Sequence, residues 1–241
     1  YQGGVWKIFK DGKIKRAIQQ ALDDKVQADW IRNGLQILGA MVNREEEEWP
    51  CNLWLINVKN GVIDLGEIVQ TIDSGGIVEW DKILKAHDPV YGSRTQLPVN
   101  YDPDAVCDLW IRTLWDIFPE GREKVNPGEA CLGDRKIELL QQFAGYMLLP
   151  NCKYERALLM IGRGGNGKTT VIETLTALLG TENCCEMNLD DLARTFNIPS
   201  LQGKMLVSCA EMVHREPTAI SMLKKCISGD RIAGETKFKP R

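Results

Sequence analysis

The sequence predicts an α/β protein in two parts: a mostly helical domain over residues 1–150 with a small β element, then a phosphate-loop α/β domain over residues 151–241. Three observations predict it. The run Gly162-Arg163-Gly164-Gly165-Asn166-Gly167-Lys168-Thr169 fits G-x-x-x-x-G-K-[ST] at every fixed position. Apolar residues recur at helical spacing before it, and two apolar segments of strand character meet at Asn60-Gly61.

Taken in order, Ile14, Ile18, Leu22 and Val26 step by four, and Ile31, Leu35, Leu38 and Val42 repeat the step, so residues 12–42 predict two amphipathic helices or one bent one. The acidic run Glu45 to Glu48 reads as a solvated helix end. Leu53 to Leu65, with Asn60-Gly61 at its middle, predicts a hairpin. Residues 66–101 are turn-rich and predict short strands and loops rather than a long helix. Asp102-Pro103-Asp104 offers an N-cap, a first-turn proline and a first-turn acid. With Val106, Leu109, Trp110, Leu114 and Ile117 it predicts a helix over 103–118. Residues 119–134 read as a linker or insertion, and Ile137, Leu140, Phe143, Ala144 and Met147 form another apolar stripe before Pro150-Asn151 breaks the pattern.

In the second part, Ala157-Leu158-Leu159-Met160-Ile161 predicts a buried strand running into the loop, and Val171, Ile172, Leu175, Leu178 and Leu179 a helix leaving it. Met205 to Ala210 predicts a second buried strand that delivers Glu211 at its C-terminal end, the edge at which parallel sheets bind ligands. Residues 218–227 read as helical, and 229–239 alternate like a strand or hairpin carrying cations and Phe238.

The loop's residue types follow from phosphate chemistry. Glycines let backbone N–H groups converge on an anion with no Cβ in the way, and the start of the next helix adds partial positive charge there. Gly162, Gly164, Gly165, Asn166, Gly167, Lys168, Thr169 and Thr170 are therefore the candidate ATP-binding residues. Lys168 is expected to reach the β- and γ-phosphates, Thr169 to present its hydroxyl to Mg²⁺, and Asn166 to lend an amide near the bond that breaks. Glu211 is the candidate for orienting the attacking water and helping to hold Mg²⁺, which makes Lys168 and Glu211 the candidate catalytic pair.

Composition narrows the setting. The 241 residues are 44% hydrophobic and 26% charged, the balance of a globular protein with a sizeable core. No apolar run approaches the roughly 18 to 20 residues of a membrane span, and the lysine-bearing start lacks a secretory apolar segment, so the chain reads as intracellular. Its start at Tyr1 and its stop at Arg241 inside a basic segment read as cuts in a longer polypeptide. The 8 cysteines contain no C-x-x-C pair, which argues against zinc and for scattered reduced thiols. Net charge is −3, yet residues 201–241 hold eight basic against four acidic side chains, so a polyanionic partner is expected near that end. Basic and aromatic residues on an exposed hairpin suit single-stranded nucleic acid.

The combination of Asn60-Gly61-Val62-Ile63-Asp64-Leu65, Leu97 to Ala105, the loop through Thr170, and Leu223-Lys224-Lys225-Cys226-Ile227-Ser228-Gly229-Asp230 resembles the phage and plasmid primase-helicase family, related to the poxvirus-type primase-helicase. The likeness covers nearly all of the chain. It implies a helical domain followed by a superfamily 3 helicase ATPase of the AAA+ type, truncated here at its C-terminus. Such a protein works as a homo-oligomeric ring, usually a hexamer, on single-stranded DNA in the cytoplasm of a bacterial host or infected cell, with other replication proteins as possible partners. It also implies that Glu211 closes the second acidic motif and that Lys224, Gly229, Asp230 and Lys237 belong to the DNA-facing motif, with Lys224 and Lys237 as the DNA contacts. One departure matters: Ala210 stands where many ring helicases carry a second acid beside the residue matching Glu211. The polymerising primase domain is not visible. The resemblance puts the neighbour-supplied arginine beyond Arg241, so this chain is expected to bind ATP and to hydrolyse it poorly.

Two other readings stay open on sequence. The same loop serves small-molecule kinases, which need an acceptor pocket that the sequence does not reveal. A non-catalytic module in which ATP only switches assembly is the other. Unwinding polarity, ring size, DNA sequence preference, the virus, plasmid or integrated origin, and the helical domain's partner are not legible.

Overall fold

A computed structural model describes residues 1–7, 11–22, 29, 31–33, 35–37, 54–120, 130–192, 194–209, 217–230 and 232. The chain divides into two compact units, one of residues 1–52 and 88–94, the other of residues 53–87 and 95–241.

In the first unit, α1 (Asp11–Leu22) covers the first of the predicted amphipathic stripes, and residues 29, 31–33 and 35–37 are helical. Val26, Leu38 and Val42 lie outside the described residues. Trp6 joins residues 1–7 to 88–94, its amide donating to Ser93 O at 2.8 Å and its indole N–H to Pro89 O at 3.0 Å. Tyr1 packs edge-to-face on Trp6 with centroids 5.6 Å apart. Burial, then the charge of Asp88, pushes the Tyr1 phenol above its ordinary pKa.

The second unit opens with the predicted hairpin, β1 (Leu55–Val58) paired antiparallel with β2 (Gly61–Asp64). Its turn is not at Asn60-Gly61 but at Lys59-Asn60, because Val58 pairs with Gly61. The Asn60 side chain is engaged with Tyr101, its Oδ1 accepting from Tyr101 N at 2.9 Å and its Nδ2 donating to Tyr101 O at 2.8 Å. Gly61 is needed for close approach, since a Cβ there would meet the Lys85 carbonyl of β3 (Leu84–Lys85), which pairs with β2. The expectation of no long helix over 66–101 holds, but the segment does contain a short one that the sequence does not announce, α2 (Leu65–Asp73). Asp64 caps it by accepting from Gly66 N at 3.0 Å and Glu67 N at 3.4 Å.

The predicted 103–118 helix begins late, as α3 (Asp108–Ile117). Asp102 caps a local turn instead, accepting from Asp104 N at 3.0 Å, and Val106 and Leu109 face solvent, so core burial begins only at Trp110 and Leu114. Helix α4 (Leu132–Met147) starts with a capping box between Cys131 and Asp134 and buries Leu140 and Met147. After the phosphate loop come α5 (Lys168–Leu179), β4 (Cys184–Glu186), α6 (Leu189–Leu192), β5 (Leu206–Ser208) and α7 (Pro217–Ser228). Strands β4 and β5 pair in parallel. Mixed helix and small sheets agree with the α/β class.

One core runs through this unit. Ile56, Val58, Ile63 and Ile68 from the hairpin and α2 join Leu97, Leu114, Leu140 and Met147, and then Val171, Leu175 and Leu179 of α5. Packing thus continues across residue 150. A smaller cluster places Leu189 and Leu192 against Ala219, Met222 and Leu223 of α7.

Two expectations need correction. Residues 157–161 form no strand, and two of their apolar side chains lie open, Leu159 66% and Ile161 87% exposed. The parallel pair β4–β5 supplies them with no neighbour, and a strand without a hydrogen-bonded neighbour is not a strand. The strand predicted over 205–210 is present as β5, but it is shorter and half-exposed, Val207 facing outward.

Candidate nucleotide-binding site

The loop from Gly162 to Gly167 enters α5 through Gly167, whose φ of +80° is the left-handed region that glycine alone adopts without strain. A Cβ on Gly167 would also stand 2.5 Å from Ile117 at the end of α3, so the loop rests on that helix. Gly165, at φ +72°, provides the second left-handed bend.

Helix α5 has no side-chain cap. Its first intrahelical bond runs from Val171 N to Gly167 O at 3.0 Å, so the amides of Lys168, Thr169 and Thr170 have no acceptor within the helix. Those amides, at the positive end of a 12-residue helix, are what a phosphate-binding cradle requires. Lys168 Nζ folds back over the loop, donating to Gly162 O at 3.0 Å, Arg163 O at 3.0 Å and Asn166 Oδ1 at 2.7 Å. An ammonium held by three oxygens of its own loop sits where an anion's oxygens can replace them. Gly162 completes the arrangement: a Cβ there would overlap the Asn166 amide that Lys168 holds. Thr169 and Thr170 are exposed at the first turn, and Thr170 O accepts from Thr174 Oγ1 at 2.8 Å. The structure therefore brings Gly162 through Thr170 together. The residue types fit a triphosphate.

The parallel β4–β5 pair has its C-terminal edge at Glu186 and Ser208. That edge carries a polar cavity of about 410 Å³ lined in part by Glu186, Asn188, Asp191, Asn197 and Ser200. Sequence reasoning missed it, because residues 187–201 carry no motif. Glu211 and Lys237 lie outside the described residues. Lys224 is exposed on α7. Gly229, at φ +72°, ends α7 in a Schellman turn with Asp230 N bonded to Lys225 O at 3.1 Å. That geometry explains Ser228-Gly229-Asp230 as a helix stop.

Among the described cysteines all are free. Burial pushes the thiols of Cys184 and Cys226 above their ordinary pKa, which makes them poor nucleophiles. His87 is a structural residue: its Nε2 lies 2.8 Å from Val58 O and 3.1 Å from Asn57 Oδ1, two acceptors that require the hydrogen on Nε2. Among the described residues no helix is long and apolar enough to cross a membrane.

Comparison with known families divides along the same chain. Residues 160–241, which include the loop, match a family of unknown function, DUF5906. Residues 1–119 match the family model described as D5 N terminal like, and this match supports a relation to the phage and viral primase-helicases.

Proposed function

We propose that this chain is the ATP-hydrolysing helicase part of a phage-type replication primase-helicase, a superfamily 3 module that couples hydrolysis to movement along single-stranded DNA. The observation that carries the reading is the loop itself: Gly162, Asn166 and Lys168 interlocked at the uncapped start of α5. The D5 N terminal like match over residues 1–119 supports the replication setting. In this reading the amides of Lys168 to Thr170 and the Lys168 ammonium hold the triphosphate, and Thr169 and Glu211 hold the cation. A bound Mg²⁺ supplies charge neutralisation at the phosphates. Glu211 orients the water, and Lys168 stabilises charge that develops on the γ-phosphate. Lys224 and Lys237 contact the DNA, and the working form is a ring of copies.

The test is fluorescent-ATP binding by the protein, together with its ATP turnover with and without oligo-dT. Lys168→Ala is expected to weaken ATP binding by at least about tenfold and to abolish DNA-stimulated turnover. Tight ATP binding by the alanine variant, or turnover indifferent to DNA in wild type, would remove the reading.

The polar cavity beside β4 favours a second reading, a small-molecule phosphotransferase, because it offers the acceptor pocket such an enzyme needs. Phosphate transfer to a metabolite, lost in Asp191→Ala while ATP still binds, would select it.

A further inference from the structure

We propose that the turn just before the phosphate loop, residues 151–156, is a stacking platform for the bases of single-stranded DNA, working with Trp54 and the last turn of α7. This deepens the function proposed above and rests on it.

The turn is rigid. Asn151 Oδ1 accepts from Lys153 N at 3.0 Å, and Cys152 O accepts from Glu155 N at 2.9 Å. Glu155 has φ +50°, the one positive value among the described non-glycine residues, a conformation that must be held from outside. Tyr146 at the end of α4 packs against this turn through the Tyr154 ring.

On this support the side chains form an aromatic and cationic surface. Tyr146 and Tyr154 rings meet edge-to-face with centroids 5.6 Å apart. Lys153 Nζ stands 4.7 Å from the Trp54 centroid and 5.8 Å from the Tyr154 centroid, so one ammonium bridges two aromatic faces. Tyr154 is 50% exposed, so about half of this large aromatic residue's surface meets solvent.

Charge selects the occupant. The turn abuts the end of α7, with Cys152 Sγ 3.8 Å from Cys226 O and a Gly229 Cβ position 3.0 Å from Cys152. Lys153 and Arg156 on the turn and Lys224 and Lys225 on the helix outnumber the acids on the same two segments, Glu155 and Asp230. The exposed Tyr154 ring, flanked by the half-buried Trp54 and Tyr146 and interleaved with lysines and an arginine, matches the two faces of a single strand, bases to stack and phosphates to neutralise.

The experiment is binding of fluorescein-labelled oligo-dT by the full-length polypeptide over a salt series, comparing wild type with Tyr154→Ala, Tyr154→Phe and Lys153→Gln, and with ATP affinity measured for each. Loss of one stacked base predicts about a 5- to 100-fold weaker affinity in Tyr154→Ala and near-wild-type affinity in Tyr154→Phe. Lys153→Gln should lower the slope of log affinity against log salt by about 0.7. Unchanged ATP affinity in all variants would show that the fold persists. Unchanged oligo-dT affinity and slope in the variants, with wild type binding well, overturns the platform alone. Failure of wild type to bind oligo-dT overturns the platform and the helicase reading together. A Tyr154→Ala effect on ATP but not on oligo-dT also overturns the platform, reassigning the ring to the nucleotide base.

Discussion

The two sides of the phosphate loop differ sharply although the segment before it is the more apolar of the two. After it, α5 buries Val171, Leu175 and Leu179 in the main core, Leu179 being 0% exposed. Before it, residues 157–161 leave Leu159 and Ile161 in the open and form no strand. The contrast lies in where each backbone finds its hydrogen bonds. A helix satisfies its backbone within a dozen consecutive residues and needs only a face to bury, whereas a strand needs a neighbour brought from far along the chain. The nucleotide cradle rests on the side that could complete itself locally.

The largest effect that could break this comparison is a paired substitution. Leu179→Ala should cost about 2–5 kcal/mol of stability, since a fully enclosed side chain leaves a cavity. Ile161→Ser should change stability by no more than about 0.5 kcal/mol, the range of exposed positions. Urea unfolding of both variants measures the difference. Equal losses would mean that the 157–161 segment is enclosed after all.

Next in size is Gly167→Ala, which forces an alanine into the left-handed region and against Ile117, at about 1–3 kcal/mol. The double variant with Ile117→Ala should recover the steric share and leave the conformational share. ATP affinity, read alongside unfolding, should fall in both variants. If Ile117→Ala restored full stability and full ATP binding, the positive φ would carry no cost.

Asn60→Ala removes both of its bonds to Tyr101 and should cost about 1–2 kcal/mol by urea unfolding. This position also shows how far the sequence could be read. Asn60-Gly61 announced a hairpin correctly, since β1 ends just before it and β2 starts at Gly61, but the turn is one residue earlier, with Asn60 engaged by Tyr101, a partner 41 positions away. The same limit explains α3: Asp102 had the chemistry of a helix cap, and only contact with the distant core decides that the helix begins at Asp108. The phosphate loop was legible residue by residue, because backbone conformation and phosphate chemistry fix its residue types locally. The platform at 151–156 and the cavity beside β4 were not, because each gathers residues that share no sequence spacing. Glu211 and Lys237 remain proposals from the sequence.

The smallest effect concerns the brace behind Ile117. Lys136 Nζ bonds Glu120 Oε1 at 2.6 Å, while Gly133 N donates to Glu120 O at 3.0 Å, so α4 is tied to the end of α3 on which Gly167 rests. The Lys136 hydrogen bond, followed by one to the glutamate's own backbone, holds the Glu120 carboxyl below its ordinary pKa. A carboxylate depressed on folding contributes stability that is fully present above its unfolded pKa and is lost as pH falls through the folded, lower value. Lys136→Met should therefore raise the Glu120 pKa toward the ordinary glutamate range in an NMR titration. It should also lower the urea midpoint slightly at neutral pH, with the gap to wild type closing as pH drops through the depressed pKa. Because both groups are solvent-accessible, added salt should shrink the same gap. A gap that stayed constant with pH and salt would assign the effect of Lys136 to its aliphatic stem against Phe118, whose ring centroid lies 5.9 Å from Nζ, and the α3–α4 brace would then be apolar, like the core beneath α5.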